Sequence, residues 1–286
     1  MKRRFLIALG LLIAVAAGLA PVFTKQAPRH LLDFEDQYSV PFREGEKLVY
    51  EVNWKPLFLI PAFKAGELSL NLTNSQYRKT PTYTISARAV SDGLLSSIAG
   101  LQVRDYFESI IDRDDFRSYR FLKQTREGSR KRDVEVLFNY SGDYLLVRET
   151  DVAKNPPQEL RNEKVEGLLG PLTDILSVFY VARVRDMAPG EEYFIYLSDD
   201  GKSRKVVTTV DKNETVHTNL GNFKAIKLST KGGLFKNGGG FRIWYSQDEF
   251  RIPVKFEADV SFGKVYGELI QMEAGSVSRG LIRTQN

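Results

Sequence analysis

The chain has 286 residues with 41 Lys and Arg against 36 Asp and Glu, a length that suits one large domain or two small ones. It contains no cysteine, which excludes disulfides, thiolate-bound zinc, a cysteine nucleophile and lipidation on cysteine. The formal charge of +5 shrinks to +2 beyond residue 23, where 38 basic face 36 acidic side chains, so that part offers no strong field for nucleic acid.

Lys2, Arg3 and Arg4 precede an uncharged run from Phe5 to Phe23. An export apparatus reads this order, keeping the basic end inside while the apolar part enters the bilayer. Ala16-Ala17-Gly18 and Gly18-Leu19-Ala20 supply small residues for cleavage, although Pro21 would follow a cut after Ala20. The 19 apolar residues also approach the roughly 20 that span a hydrocarbon core. Residues 1–23 are therefore expected to be a signal peptide or a signal anchor. Residues 24–39 read as a tether, 40–274 as a single β-rich domain and 275–286 as a tail.

From Glu46 the apolar period is two. Leu48, Tyr50, Val52 and Trp54 fall on one strand face, as do Leu68, Leu70 and Leu72, and then Tyr83, Ile85, Ala87 and Ala89. One buried and one wet face is the mark of antiparallel sheets. Two apolar stretches, Leu57–Ile60 and Leu94–Ile98, sit at sheet ends as loops over the core or as lids over a ligand. Further strands are expected at Val103–Ile111, Ser118–Arg126, Asp133–Tyr140 and Tyr144–Glu149. Arg130-Lys131-Arg132 reads as a hairpin turn, and Asp151–Gly170 as a long polar connection.

The spacing of Leu172, Ile175, Leu176 and Phe179 predicts one amphipathic helix over 173–185, capped by Thr173 and stopped at Pro189-Gly190. Strands resume at Glu192–Leu197, Arg204–Val210, Phe223–Leu228, Phe241–Tyr245, Val254–Val260 and Lys264–Met272. Asp199-Asp200-Gly201 and Asp211-Lys212-Asn213 read as turns between them. The fold class is mainly β, a large curved antiparallel sheet forming a sandwich or an open barrel.

Chemistry-bearing patterns are sparse. The glycine-rich stretch 231–240 lacks the Lys-Ser/Thr of a phosphate loop, no Gly-x-Ser-x-Gly elbow occurs, and His30 and His217 are the sole imidazoles. No catalytic residue, metal ligand or cofactor is assigned. The densest unusual cluster runs from Ile243 to Val254. It has two readings: a hairpin pinned by an Asp248–Arg251 pair with Trp244 in the core, or a site for a sugar or headgroup. The candidate ligand-binding residues are Trp54, Trp244, Tyr245, Ser246, Asp248 and Arg251.

Pro41-Phe42-x-x-Gly45-Glu46-x-Leu48-x-Tyr50-x-Val52-x-Trp54 and Lys64-Ala65-Gly66-x-Leu68 open a longer pattern. Asp174-x-Leu176-Ser177-x-Phe179-Tyr180-x-x-Arg183, Gly221-x-Phe223 and Ile243-Trp244-x-Ser246-x-Asp248-x-x-Arg251-x-Pro253-Val254 complete it. Together they resemble the bacterial envelope family called domain of unknown function 3108, over about Val40 to Ala274. The resemblance implies an exported, mostly β protein of Gram-negative-type bacteria, with no defined activity to carry over. This chain departs from it by inserting the apolar segment Pro56–Phe63.

Three functions follow as expectations. The first is a non-enzymatic periplasmic binding or scaffold protein, free or anchored in the inner membrane, holding a lipid or other amphiphile in a sheet cavity. The second is a carbohydrate-binding module or glycan hydrolase, which needs an exposed indole. The third is a structural envelope-assembly partner without a ligand.

Overall fold

The computed structural model describes residues 40–57, 61–91, 102–199, 201–231, 239–260, 263–273 and 275. The leader 1–23, the tether, most of the tail, the apolar stretch Leu94–Ile98, residues 58–60 and the glycine-rich residues 232–238 lie outside them. No helix among the described residues is long and apolar enough to cross a membrane.

The strands in chain order are β1 (Lys47–Pro56), β2 (Phe63–Tyr77), β3 (Thr80–Ser91), β4 (Arg104–Asp112), β5 (Ser118–Glu127), β6 (Arg130–Asn139), β7 (Tyr144–Asp151) and β8 (Gln158–Glu166). After β9 (Thr173–Asp174) and the short helix α1 (Val178–Val181) come β10 (Glu192–Asp199), β11 (Lys202–Thr218), β12 (Gly221–Lys231), β13 (Phe241–Ser246), β14 (Pro253–Val260) and β15 (Gly263–Glu273). All belong to one sheet ordered β8-β7-β6-β5-β4-β3-β2-β1-β15-β14-β13-β12-β11-β10-β9. Two meanders thus run outward from a central β1–β15 seam, and every pairing except β9–β10 is antiparallel.

The inner face follows from the alternation in the sequence. Leu48, Tyr50, Val52 and Trp54 of β1 are at most 4% exposed, and Leu70, Leu72, Ile85 and Ala87 are fully covered. Sheet twist curls the two wings toward each other. The β10–β11 turn reaches the other wing: a Cβ built on Gly201 would stand 2.3 Å from Val147 Cγ2 on β7. The sheet is an open barrel, and the segment 172–184 lies inside it as a plug, with Leu172, Ile175, Leu176, Phe179, Tyr180 and Val181 all buried.

Four local expectations need correction. Arg130-Lys131-Arg132 opens strand β6 and is not the hairpin turn. The helix is shorter than 173–185, because Thr173 and Asp174 pair in parallel with Leu197 and Ser198 as β9. Only Val178–Val181 is α-helical, followed by a 3-10 turn at Ala182–Val184, so Thr173 is not its cap. The connection 151–170 contains β8, whose mostly charged residues are exposed except for the half-buried Arg161 and Val165. An edge strand lying off the core needs no apolar alternation, and its charges discourage edge-to-edge association. Asp211-Lys212-Asn213 is a register shift within the 17-residue β11, not a turn.

Gly66 shows why the Lys64-Ala65-Gly66 motif ends in glycine. A Cβ there would lie 2.1 Å from the carbonyl oxygen of Val90 on β3, and backbone cannot swing aside as a side-chain tip can. Gly66→Ala is expected to lower unfolding free energy by about 2 kcal/mol or more in urea titrations. An unchanged midpoint would mean that β2 and β3 do not approach this closely.

Candidate functional site

Two buried polar clusters fix the plug. The first centres on Asp174, which is fully covered. Its Oδ1 accepts the backbone N–H groups of Leu176 and Ser177, both at 2.9 Å. Its Oδ2 accepts the hydroxyls of Ser109 on β4 and Ser118 on β5, the latter at 2.6 Å. Burial raises the Asp174 pKa, against the four donors, which lower it. Tyr140 Oη donates to the Ser118 and Leu172 carbonyls, binding the same segment to the first wing.

The second cluster centres on Arg183, which is 0% exposed. Its guanidinium holds Glu46 in a two-pronged pair, Nη1 to Oε1 at 2.6 Å and Nη2 to Oε2 at 2.8 Å. The remaining donors go to the carbonyl oxygens of Phe250 and Pro41. The rings of Phe42 and Tyr180 flank it at 5.2 and 5.4 Å. Burial alone lowers an arginine pKa, but hydrogen bonding and charge from Glu46 outweigh it, and the Arg183 value rises. Burial likewise pushes the phenol of neighbouring Tyr180 far up.

Of the predicted ligand residues, Tyr245, Ser246, Asp248 and Arg251 lie near the second cluster and spend polar atoms on the fold. Tyr245 Oη donates to Phe179 O of α1. Ser246 Oγ donates to Asp248 Oδ1 and accepts from Ile252 N. The expected Asp248–Arg251 pair is a backbone contact, Arg251 N–H to Asp248 Oδ1 at 3.1 Å. The Arg251 guanidinium instead reaches the carbonyls of Arg183 and Arg185. Trp244, 7% exposed, lies on the strand face opposite Ile243 and Tyr245, donates to Glu214, and is flanked by Lys227 and Lys255. Trp54, 4% exposed, packs edge-on against Phe63 at the other end of the β1–β15 seam region and does not join the Ile243–Val254 group.

Sequence reasoning missed Glu46, Asp174 and Arg183 as a set. Glu46 and Arg183 are 137 positions apart, so no local spacing links them. A fully charged side chain inside an otherwise apolar helical pattern, as at Arg183, was the available sign.

Between α1 and β10–β13 lies an apolar cleft lined by Val178, Ala182, Tyr193, Ile195, Thr208, Leu228, Thr230, Phe241, Ile243 and Tyr245. Its free space is about 30 Å³, room for about two waters.

The family model described as "Protein of unknown function (DUF3108)" matches residues 49–270. A β-barrel-like protein of domain of unknown function DUF1849 from Brucella abortus shares the fold at a TM-score of 0.54, with 12% identity, 82% of this chain and 98% of that one covered. A candidate lipoprotein from Parabacteroides distasonis (TM-score 0.32, 11% identity, coverage 83% and 100%) also aligns. So does a candidate exported protein with a YmcC-like fold from Bacteroides fragilis (0.29, 11%, 82% and 97%). No curated protein matches the chain.

Removing either partner of the buried pair leaves an uncompensated interior charge, so Arg183→Leu and Glu46→Leu should each cost about 3–5 kcal/mol. The double variant should cost clearly less than both together, measured by urea unfolding as a double-mutant cycle. Strict additivity would mean the two groups do not act as a pair.

Proposed function

The chain belongs to the DUF3108 family, and from that premise we propose that it is an exported, non-enzymatic scaffold or binding protein of the cell envelope. It works on the periplasmic side, either released by cleavage of residues 1–23 or held by them at the inner membrane. The observation that carries this reading is the fate of the motif side chains. Glu46, Asp174, Arg183, Tyr245, Ser246 and Arg251 direct their polar atoms at one another or at backbone within the barrel. Residues spent this way preserve a shape, and shape is what a scaffold presents to a partner.

A second reading is favoured by the apolar cleft beside α1, which suits the end of an acyl chain. At about 30 Å³ it takes only the tip unless α1 yields. The carbohydrate reading lacks support, because both indoles are buried and present no face for a sugar to stack on.

A full-length fusion to alkaline phosphatase, which is active only outside the cytoplasm, should show activity that falls when Lys2, Arg3 and Arg4 are changed to Glu. Native mass spectrometry of the purified protein should give the bare chain mass. A stoichiometric co-purifying acyl compound, lost in Ile243→Trp, would move the function to the cleft. An inactive fusion would overturn export.

A further inference from the structure

Arg183 and Arg185 stand two positions apart at the end of the plug, and they are used differently. Arg183 gives its donors to Glu46 and to the Phe250 and Pro41 carbonyls. Arg185 is fixed through its backbone: its N–H donates to Ala182 O at 3.2 Å, and its carbonyl accepts from the Arg251 guanidinium. Its own guanidinium has no such partner. Nε is buried without a hydrogen bond, and among the described residues no carboxylate pairs with the side chain.

The Arg185 guanidinium lies over the Tyr193 ring, its central carbon 5.8 Å from the centroid. Burial lowers the Arg185 pKa, and only the Tyr193 phenol pulls it back. A desolvated cation without a counter-charge is costly, and an anion that pairs with it relieves the cost. Arg185 is half-buried, so a solute can reach it from outside.

Tyr193 also joins this cation to the apolar cleft beside α1, which it lines with Val178, Ala182, Ile195 and Thr208, its register partner on β11. An uncompensated positive charge thus adjoins about 30 Å³ of free space walled mostly by carbon. That pairing of features matches a small molecule with an anionic head and a short apolar tail.

We propose that the cleft binds a short unbranched carboxylate, its head on Arg185 and its tail carbons in the free space. The proposal rests on the acyl reading of this cleft and adds the charge of the head and the length of the tail. A planar carboxylate matches one guanidinium fork with two parallel hydrogen bonds. A phosphate monoester carries more charge than Arg185 can meet, and Arg183 and Arg251 already spend their donors on Glu46 and backbone carbonyls. Each buried methylene strengthens binding about fourfold, so affinity climbs while carbons fit the cleft and levels off beyond it. A ligand this small exchanges freely and leaves the purified chain bare.

NMR titration of the isotopically labelled full chain at pH 7 with sodium hexanoate reads the site through the Ala182, Tyr193 and Thr208 amides. The expected result is saturable shifts there, with acetate, hexanol and hexyl phosphate each weaker by at least about tenfold. Arg185→Leu removes the charge without breaking a hydrogen bond or ion pair. It should bind hexanoate no better than hexanol, with its melting temperature kept or raised. Hexanol binding as tightly as hexanoate to the native protein would overturn the anionic head and leave the acyl reading standing. No shift with either compound would overturn both. An unchanged hexanoate affinity in Arg185→Leu, or hexyl phosphate binding more tightly than hexanoate, would overturn the assignment of a carboxylate to Arg185.

Discussion

The buried pair of Arg183 with Glu46 is the contact on which the barrel's organisation rests. Glu46 opens the first strand at the centre of the sheet, and Arg183 closes the plug. Three more bonds from Arg183 seize the Phe250 and Pro41 carbonyls, so one guanidinium ties the N-terminal entry, the plug and the β13–β14 turn together. Desolvating both charges costs several kcal/mol per ion, offset here by two-pronged geometry, carbonyl acceptors and flanking aromatic rings. Such a pair contributes specificity of arrangement more surely than net stability. In this seating each guanidinium nitrogen of Arg183 has an acceptor.

This constraint accounts for the open sheet. Among the described residues, fifteen strands leave β8 and β10 without a shared ladder, so backbone pairing does not close the barrel there. The plug does that work from within. Asp174 holds it to β4 and β5 of one wing, while β9 and Tyr245 hold it to the other. Within the matched residues 49–270, Asp174, Arg183 and Arg251 bond at the points where the wings and plug meet.

Much of the sheet was legible in the sequence. Leu48-x-Tyr50-x-Val52-x-Trp54 and Tyr83-x-Ile85-x-Ala87-x-Ala89 alternate because one face is buried, and period-two burial leaves a period-two trace. β8 left little, since of Gln158–Glu166 only Arg161 and Val165 are half-buried and only Val165 is an apolar residue packed on the core. The helix was overread because Leu172, Ile175 and Leu176 are buried in turns around Asp174, where burial from all sides imitates helical spacing. The Ile243–Val254 group was recognised as unusual, yet its purpose was hidden. Arg251 bonds backbone carbonyls of the plug 66 and 68 positions away, and sequence spacing carries no record of that distance.

The account's central claim is that the plug is an integral part of the folded barrel and not an insert that opens on its own. Native-state hydrogen exchange at low denaturant tests this through the Tyr180 and Val181 amides, which donate to Ser177 O inside the barrel. The account predicts that they exchange only with global unfolding, at the same free energy and denaturant slope as the central β1 amides. Exchange at a markedly lower free energy, with a shallow slope, would show a plug that opens within an intact sheet and would contradict it.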